Sequence, residues 1–411
     1  RQTDISADTL GMAEDDMRKL GYQMVDLVVD HLVNRDSAPA IVAGTPAQLY
    51  SELGGPIPEQ PGDPEQLLKH LAQCALHHQQ KGDHPRYFAR VPSPSSFAAI
   101  LGEWLGTGFN GVAASWAGGS GPSSVELVVI EWLAELMGFP NSAEGVLLSG
   151  GSMANMTAFA TARANRGEGV AYLSDQTHAS LHRNLKQMAW PGDQIRVLAS
   201  DDNFAIPIAA LEIEIARDKA KGLEPKLIIA TAGTTNTGSV DPLNALADLC
   251  ARENIWLHVD GAYGAPAALT EKGARYLKGM ERADSLVLDP HKWFFQPYDA
   301  GCLIVRHAGA LERCFNMNPE YLKDVEADQG EVDFRNRSLE LTRRARGLKL
   351  WLSMKTYGIE TFRQAINKSI ELAEFAERHI KENTEHWQLE VAAQIGIVCF
   401  SRRGSDAQKH S

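Results

Sequence analysis

The segment most informative about the fold is Ser285-Leu286-Val287-Leu288-Asp289-Pro290-His291-Lys292-Trp293-Phe294-Phe295. An apolar run typical of a buried strand ends at Asp289, and Lys292 follows it among aromatic residues. Apolar neighbours disfavour the charged form of a lysine, so Lys292 is predicted to be a nucleophile that forms a Schiff base with an aldehyde. A lysine on the surface at the end of a strand is the alternative interpretation.

A second apolar run, Ile255-Trp256-Leu257-His258-Val259, ends at Asp260 and is followed by small residues. A carboxylate at the C-terminal end of a strand lies where α/β sheets bind their ligands. An anion there would keep a pyridine nitrogen protonated, and Ala262 leaves room for a flat ring. Asp260 alone would also fit a helix N-cap, but Asp260 and Lys292 together indicate pyridoxal 5'-phosphate.

A third segment, Ser149-Gly150-Gly151-Ser152-Met153-Ala154-Asn155, follows a predicted strand at 146–148 and precedes a helical run. Glycine allows a ligand to approach the backbone, and the unpaired N–H groups at a helix start bind phosphate. The segment lacks the Gly-Lys-Ser/Thr ending of a Walker loop and the glycine spacing of a dinucleotide-binding turn. It therefore predicts a phosphate site of another kind.

With these three segments in this order, the chain resembles the group II pyridoxal-phosphate-dependent amino-acid decarboxylases. Its pattern is similar to that of the aromatic-L-amino-acid and tyrosine decarboxylases. The lysine signature of that family is matched over residues 285–306, and the similarity runs from about Asp15 to the C-terminus. The resemblance implies an α/β fold of the type I, aspartate-aminotransferase-like class, with a mainly parallel sheet covered by helices and a small C-terminal α+β domain.

The same resemblance implies three regions and a homodimer. Residues 1–80 would form an N-terminal helical arm that packs on the other subunit. Residues 81–310 would form the large cofactor-binding domain, and residues 311–411 the catalytic loop and the small domain. Relatives continue further beyond the predicted strand at 395–400, so we expect either that the small domain is truncated here or that the sequence omits residues which follow.

Catalytic roles follow from the resemblance at five positions. Lys292 would carry the cofactor, Asp260 would pair with the ring nitrogen, and His178 would stack on one face of the ring. His291 would lie near phosphate and substrate. Tyr321 matches a tyrosine on a mobile loop that protonates the α-carbon of the substrate, although an ordinary loop aromatic is the alternative.

Further cofactor contacts are implied at four positions. Ser152 and Met153 would hold the phosphate, Thr235 would lie near the polar edge of the ring, and Ala262 would pack on the ring face opposite His178. The implied reaction is decarboxylation of an L-amino acid to an amine and CO2. Relatives with phenylalanine at the position of Tyr321 tend to be aldehyde synthases, so oxidative deamination or another reaction on the same scaffold is the alternative.

The substrate pocket of the aromatic-specific relatives is lined by a segment that matches residues 84–93. Arg90 stands where an aromatic residue is expected, and we predict that Arg90 and Ser93 contact the substrate. An arginine favours an acidic or hydrogen-bonding group, whereas an outward-pointing Arg90 would bind a surface carboxylate instead.

Other features limit the function classes. His178 and His182 have the spacing of metal ligands on a helix, but no acidic third ligand stands at motif spacing, so no metal is predicted. The net charge of −12 argues against nucleic acid or an anionic membrane as a partner. Five cysteines without CxxC spacing and an acidic N-terminal segment predict a cytoplasmic protein with no signal peptide. A cofactor-free interaction protein on a decayed scaffold is the remaining alternative.

Overall fold

The computed structural model describes residues 10–91, 93–317 and 330–404. The chain divides into two compact units, Arg1–Pro94 and Ser95–Ser411. No helix in these described ranges combines the length and the apolar character needed to cross a membrane.

The first unit contains three helices: α1 (Glu14–Asn34), α2 (Pro46–Leu53) and α3 (Pro64–Leu71). A proline begins α2 and α3, and the side chains of Thr45 and Asp63 accept hydrogen bonds from backbone N–H groups in their first turns. The sequence predicts a helix from about 65 to 79, and the structure has helical backbone over most of that range, as α3 followed by a π-helical turn at Ala72–Leu76. None of the three helices has a fully buried residue.

The second unit is built around a seven-stranded sheet. Its strands are β1 (Glu144–Leu148), β2 (Val170–Ser174), β3 (Ile195–Leu198), β4 (Pro225–Thr231), β5 (Trp256–Asp260), β6 (Ser285–Leu288) and β7 (Gly301–Val305). Their spatial order is β1-β7-β6-β5-β4-β2-β3. Apolar runs in the sequence predict strands at 146–148, 171–173, 195–198, 227–230, 256–259, 285–288 and 302–305, and all seven are confirmed. The prediction of a mainly parallel sheet is also confirmed, with β7 antiparallel to both of its neighbours.

Helices cover both faces of this sheet, which is why its central strands are fully buried and read as continuous apolar runs. Helix α6 (Gly151–Arg166) starts shortly after β1 and packs across the middle of the sheet. The sequence patterns did not locate the two helices that precede β1. The helices are α4 (Phe97–Gly108), α5 (Trp116–Leu136), α6 (Gly151–Arg166), α7 (Ala179–Gln187), α8 (Ile208–Ala220), α9 (Leu243–Glu253), α10 (Glu271–Tyr276), α11 (Ala310–Phe315), α12 (Gly347–Tyr357) and α13 (Ile359–Glu382).

A small antiparallel sheet follows α13 and consists of β8 (Trp387–Val391) and β9 (Cys399–Arg402). The prediction of a strand over residues 395–400 is confirmed only for Cys399 and Phe400 and is wrong for residues 395–398. Ile395 is buried and packs so closely on Gly233 that a Cβ atom added there would lie 2.6 Å from Ile395 Cδ1. The apolar character of Ile395 therefore reflects packing against the loop after β4 and not pairing in a sheet.

Candidate active site

A cavity of ≈ 300 Å³ opens at the C-terminal ends of β4, β5 and β6, beside the start of α6. This is where ligands bind to α/β sheets, because the loops that leave neighbouring parallel strands meet there. The cavity is lined by every residue of the second unit that the sequence predicts to contact the cofactor and that the structure describes. These residues are Ser152, Met153, His178, Thr235, Asp260, Ala262, His291 and Lys292.

Lys292 lies on the turn that follows β6 and extends its amine into the cavity. Its Nζ is 3.1 Å from Asp289 Oδ2, so the amine forms an ion pair with a nearly buried carboxylate. Of the aromatic neighbours, Trp293 packs on Tyr263, and Phe294 packs on α13. These rings fix the turn in the core, and the desolvation of Lys292 by its neighbours stays a prediction.

Asp260 is the last residue of β5 and is buried at the floor of the cavity. Its Oδ1 accepts a hydrogen bond from the backbone N–H of Ala262 at 3.1 Å, which orients the carboxylate. Burial raises the pKa of Asp260 above its ordinary value, while the positive charge of Lys292 acts in the opposite direction. A cation bound in the cavity next to Asp260 would stabilise its ionised form.

The start of α6 forms the opposite wall. Gly150, which precedes the helix, has φ +158° and lies against the ring of His291. A Cβ atom at Gly151 would lie 2.9 Å from Asp289 Oδ2 and 3.1 Å from Ala262 Cβ, so only glycine fits there without displacement. In the described structure no side chain caps this helix, and its first N–H groups are available to an anion.

Two histidines complete the cavity. His178 is the N-cap of α7, and its Nδ1 is 2.7 Å from Ser180 Oγ. His291 Nδ1 accepts a hydrogen bond from the N–H of Ala300 at 3.2 Å, so the ring carries its proton on Nε2 when neutral. That Nε2 lies 3.4 Å from Asp289 Oδ2. His291 therefore presents a proton on the side of the ring that faces the acidic residue.

The loop after β4, which carries Thr235, is fixed by buried polar contacts that sequence reasoning missed. Asp241 accepts hydrogen bonds from the N–H groups of Thr231 and Ile206, both at 2.7 Å. Burial raises the pKa of Asp241 to about 6, and the two backbone donors oppose that shift. The Thr231 hydroxyl lines the cavity and has no hydrogen-bond partner in the described part of the chain.

Over residues 46–403 the chain matches a family model, the pyridoxal-dependent decarboxylase conserved domain. It belongs to the pyridoxal-dependent decarboxylases. The predicted family is confirmed, and with it the cofactor, pyridoxal 5'-phosphate, and the reaction class, decarboxylation of an amino acid by a carboxy-lyase.

Relatives with similar sequences are also decarboxylases. An aromatic-L-amino-acid decarboxylase from Bacillus atrophaeus is 44% identical over 400 residues, which cover 96% of this chain and 83% of that relative. Tyrosine decarboxylase 2 from Narcissus pseudonarcissus is 31% identical and is matched over 95% of this chain and 81% of its own length.

Solved structures resemble this decarboxylase over nearly its whole length. The Oryza sativa TDC bound to pyridoxal phosphate and tryptamine has a TM-score of 0.91 at 29% identity and covers 97% of this chain and 85% of its own. Mouse CSAD in its apo form has a TM-score of 0.88 at 27% identity, and the match covers 97% of this chain and 86% of the mouse chain. The predicted fold class is therefore confirmed.

The structure does not test the predicted roles of three further residues. Arg90 and Ser93 belong to the first unit, where Arg90 is exposed and has φ 66°. Tyr321 lies outside the described residues. The proposed roles of all three stay predictions. The described residues contain no group of three or more side chains arranged to hold a metal ion.

Proposed function

We propose that this decarboxylase converts an aromatic L-amino acid into the corresponding amine and CO2, with Lys292 as the covalent anchor of pyridoxal phosphate. One observation carries the proposal. A single cavity brings together an amine on Lys292, a buried carboxylate on Asp260 and the uncapped start of α6. The aromatic class is supported by the names of the relatives, among them the aromatic-L-amino-acid decarboxylase and the tyrosine decarboxylase.

The residues present fit the cofactor. Asp260 is buried and its pKa is raised, so it suits a protonated ring nitrogen: an ion pair with that nitrogen would offset the cost of desolvating the carboxylate. The absence of a side chain at Gly151, where a Cβ atom would lie 2.9 Å from Asp289 Oδ2, keeps the start of α6 open to a ligand phosphate. Ser152 and Met153 stand in the first turn of α6, where a phosphate would receive hydrogen bonds from backbone N–H groups.

When bound, pyridoxal phosphate supplies an aldehyde that joins amines and a protonated ring that accepts the electron pair left by the departing carboxylate. The protein orients and protects this chemistry. Asp260, held by the N–H of Ala262, would keep a proton at the ring nitrogen, and His178 and Ala262 would contact the ring. His291 Nε2–H and Lys292 Nζ are proton donors in the wall of the cavity, and Tyr321 is the proposed donor to the α-carbon.

A homodimer is part of the proposal. In the first unit, large apolar side chains are exposed in the single chain, including Tyr22 at 67% and Val33 at 74%. Exposed apolar surface of this extent is typical of an interaction face, and a second copy of the chain is the partner that we propose. A cytoplasmic location is also proposed, since all five cysteines are free.

The test is product analysis with purified protein, pyridoxal phosphate and a panel of all common amino acids. CO2 and amine in equal amounts, highest with an aromatic substrate, are the expected result. CO2 accompanied by ammonia and peroxide would instead indicate an aldehyde synthase, the activity named for a phenylacetaldehyde synthase from Arabidopsis thaliana that is 31% identical to this chain. Highest turnover with an acidic amino acid would contradict the aromatic class.

A further inference from the structure

A chain of four buried side chains runs from the core of the second unit to the cavity. Trp256 Nε1 is 2.8 Å from Ser285 Oγ, and Ser285 Oγ is 2.8 Å from His258 Nδ1. His258 Nε2 is 2.7 Å from Asn155 Oδ1. All four residues are 0–1% exposed, and Asn155 alone of the four lines the cavity.

The direction of these hydrogen bonds follows from the protons that each group carries. The indole of Trp256 can only donate, so Ser285 Oγ accepts from it. In the described part of the chain the Ser285 hydroxyl has one remaining partner, His258 Nδ1, and its buried proton must go there. His258 Nδ1 is therefore an acceptor, and the ring proton lies on Nε2. The opposite tautomer would leave the serine proton without an acceptor in the core.

His258 is neutral in this arrangement, and its ring is held in one orientation. Burial lowers the pKa of His258 to about 3, so the ring carries a single proton at physiological pH. The edge of the ring packs against Phe159 with 5.3 Å between ring centres. The Nε2–H group is thus directed at Asn155 and requires an acceptor there.

This requirement determines which end of the Asn155 amide faces the cavity. Its Oδ1 accepts from His258, so its Nδ2 is the end that remains, and the described structure gives Nδ2 no acceptor within the protein. We propose that Asn155 is a further cofactor-binding residue, whose amide nitrogen donates a hydrogen bond to bound pyridoxal phosphate, and that His258 is the positioning residue that imposes this orientation. The inference rests on the proposed placement of the cofactor in this cavity.

The substitution Asn155→Asp separates binding from packing. Aspartate keeps the shape of the side chain and the acceptor for His258 Nε2–H, but it presents an oxygen instead of an N–H group to the cavity. We expect the dissociation constant of pyridoxal phosphate, measured by absorbance titration of the apoprotein, to rise about tenfold or more. The melting temperature of the apoprotein should also fall, because the new carboxylate is buried without a cation, so the titration is run well below that temperature.

A matched control is Asn165→Asp, the same exchange near the other end of α6, where Asn165 contacts Thr161, Ala310 and Arg313 away from the cavity. Its cofactor dissociation constant should stay within about twofold of the wild-type value. An unchanged dissociation constant in Asn155→Asp would overturn the inference while leaving the proposed function intact. Wild-type protein that binds no cofactor would overturn both.

A second measurement reads the tautomer of His258 in the wild-type protein. Nitrogen-15 NMR of the wild-type protein with labelled histidine, assigned by comparison with His258→Gln, reports the tautomer directly. We expect the proton of His258 on Nε2 and an unprotonated Nδ1, unchanged from pH 5 to pH 8. A proton on Nδ1 would turn the carbonyl oxygen of Asn155 toward the cavity and overturn the inference.

Discussion

The two units of the chain differ in how their polar groups are supported. In the second unit, charged and polar side chains around the sheet are buried and joined to several partners each, as at Asp241 and the pair Arg343–Glu126. In the first unit, ion pairs such as Arg18–Glu14 are exposed, and no helix has a fully buried residue. The residues that line the cavity are therefore carried by a unit with buried, multiply bonded polar groups, whereas the polar groups of the first unit lie at the surface.

The largest expected effect is at the cofactor anchor. Replacing Lys292 by alanine should lower the rate of CO2 release by at least about 10³-fold, because no other amine of the described cavity wall takes its place. The measurement is CO2 release under saturating pyridoxal phosphate. Lys355→Ala, which removes a surface lysine that lies over Trp132 and Trp351, is the control and should keep wild-type activity. Substantial activity in Lys292→Ala would contradict the proposed anchor.

The next effect compares a buried ion pair with an exposed one. Arg343 and Glu126 are both fully buried, and Arg343 also donates to the carbonyl groups of Ala113 and Leu147. Arg343→Ala leaves a buried carboxylate without its cation and should lower the free energy of unfolding by about 3–5 kcal/mol. Arg18→Ala breaks an exposed pair in α1 and should cost at most about 1 kcal/mol. Urea unfolding measures the free energy of unfolding of both variants. Equal losses would contradict the expected difference between the buried and the exposed ion pair.

A smaller effect is expected in subunit association. Val33→Glu places a charge on the exposed apolar face of the first unit without removing a buried contact. If that face covers a second copy of the chain, the dimer dissociation constant should rise about 10- to 100-fold in sedimentation experiments. Glu14→Lys, a charge change at the exposed start of α1, is a control of similar size. A monomeric wild-type protein would show that the face has another role.

The smallest effect concerns substrate choice. If Arg90 contacts the substrate side chain, Arg90→Ala should lower kcat/KM by about tenfold for substrates that carry a hydrogen-bonding group, and less for purely apolar ones. Arg86→Ala, another exposed arginine of the same segment, is the matched control. An equal kcat/KM for wild type and Arg90→Ala across the whole panel would exclude a role for Arg90 in specificity.

Much of the site could be predicted from the sequence because its residues follow strands directly. Asp260 ends β5, Lys292 follows β6, and Ser152 follows β1. Neighbouring strands bring such positions together whatever the details of packing, so the sequence places them at one edge of the sheet. The cavity that joins these residues confirms their proximity, whereas their catalytic roles stay proposals.

The amino-acid sequence was enough to predict the seven strands of the large sheet, the family and the residues at the strand ends, since these depend on local periodicity and short motifs. The contacts between side chains that are distant in the sequence depend on the tertiary structure. Asn155 and His258 are far apart in the chain, and so are Glu126 and Arg343, yet each pair is in contact. The ion pair of Lys292 with Asp289 and the burial of Ile395 against Gly233 belong to the same class. Such contacts depend on how whole helices and loops pack, and no local pattern encodes them.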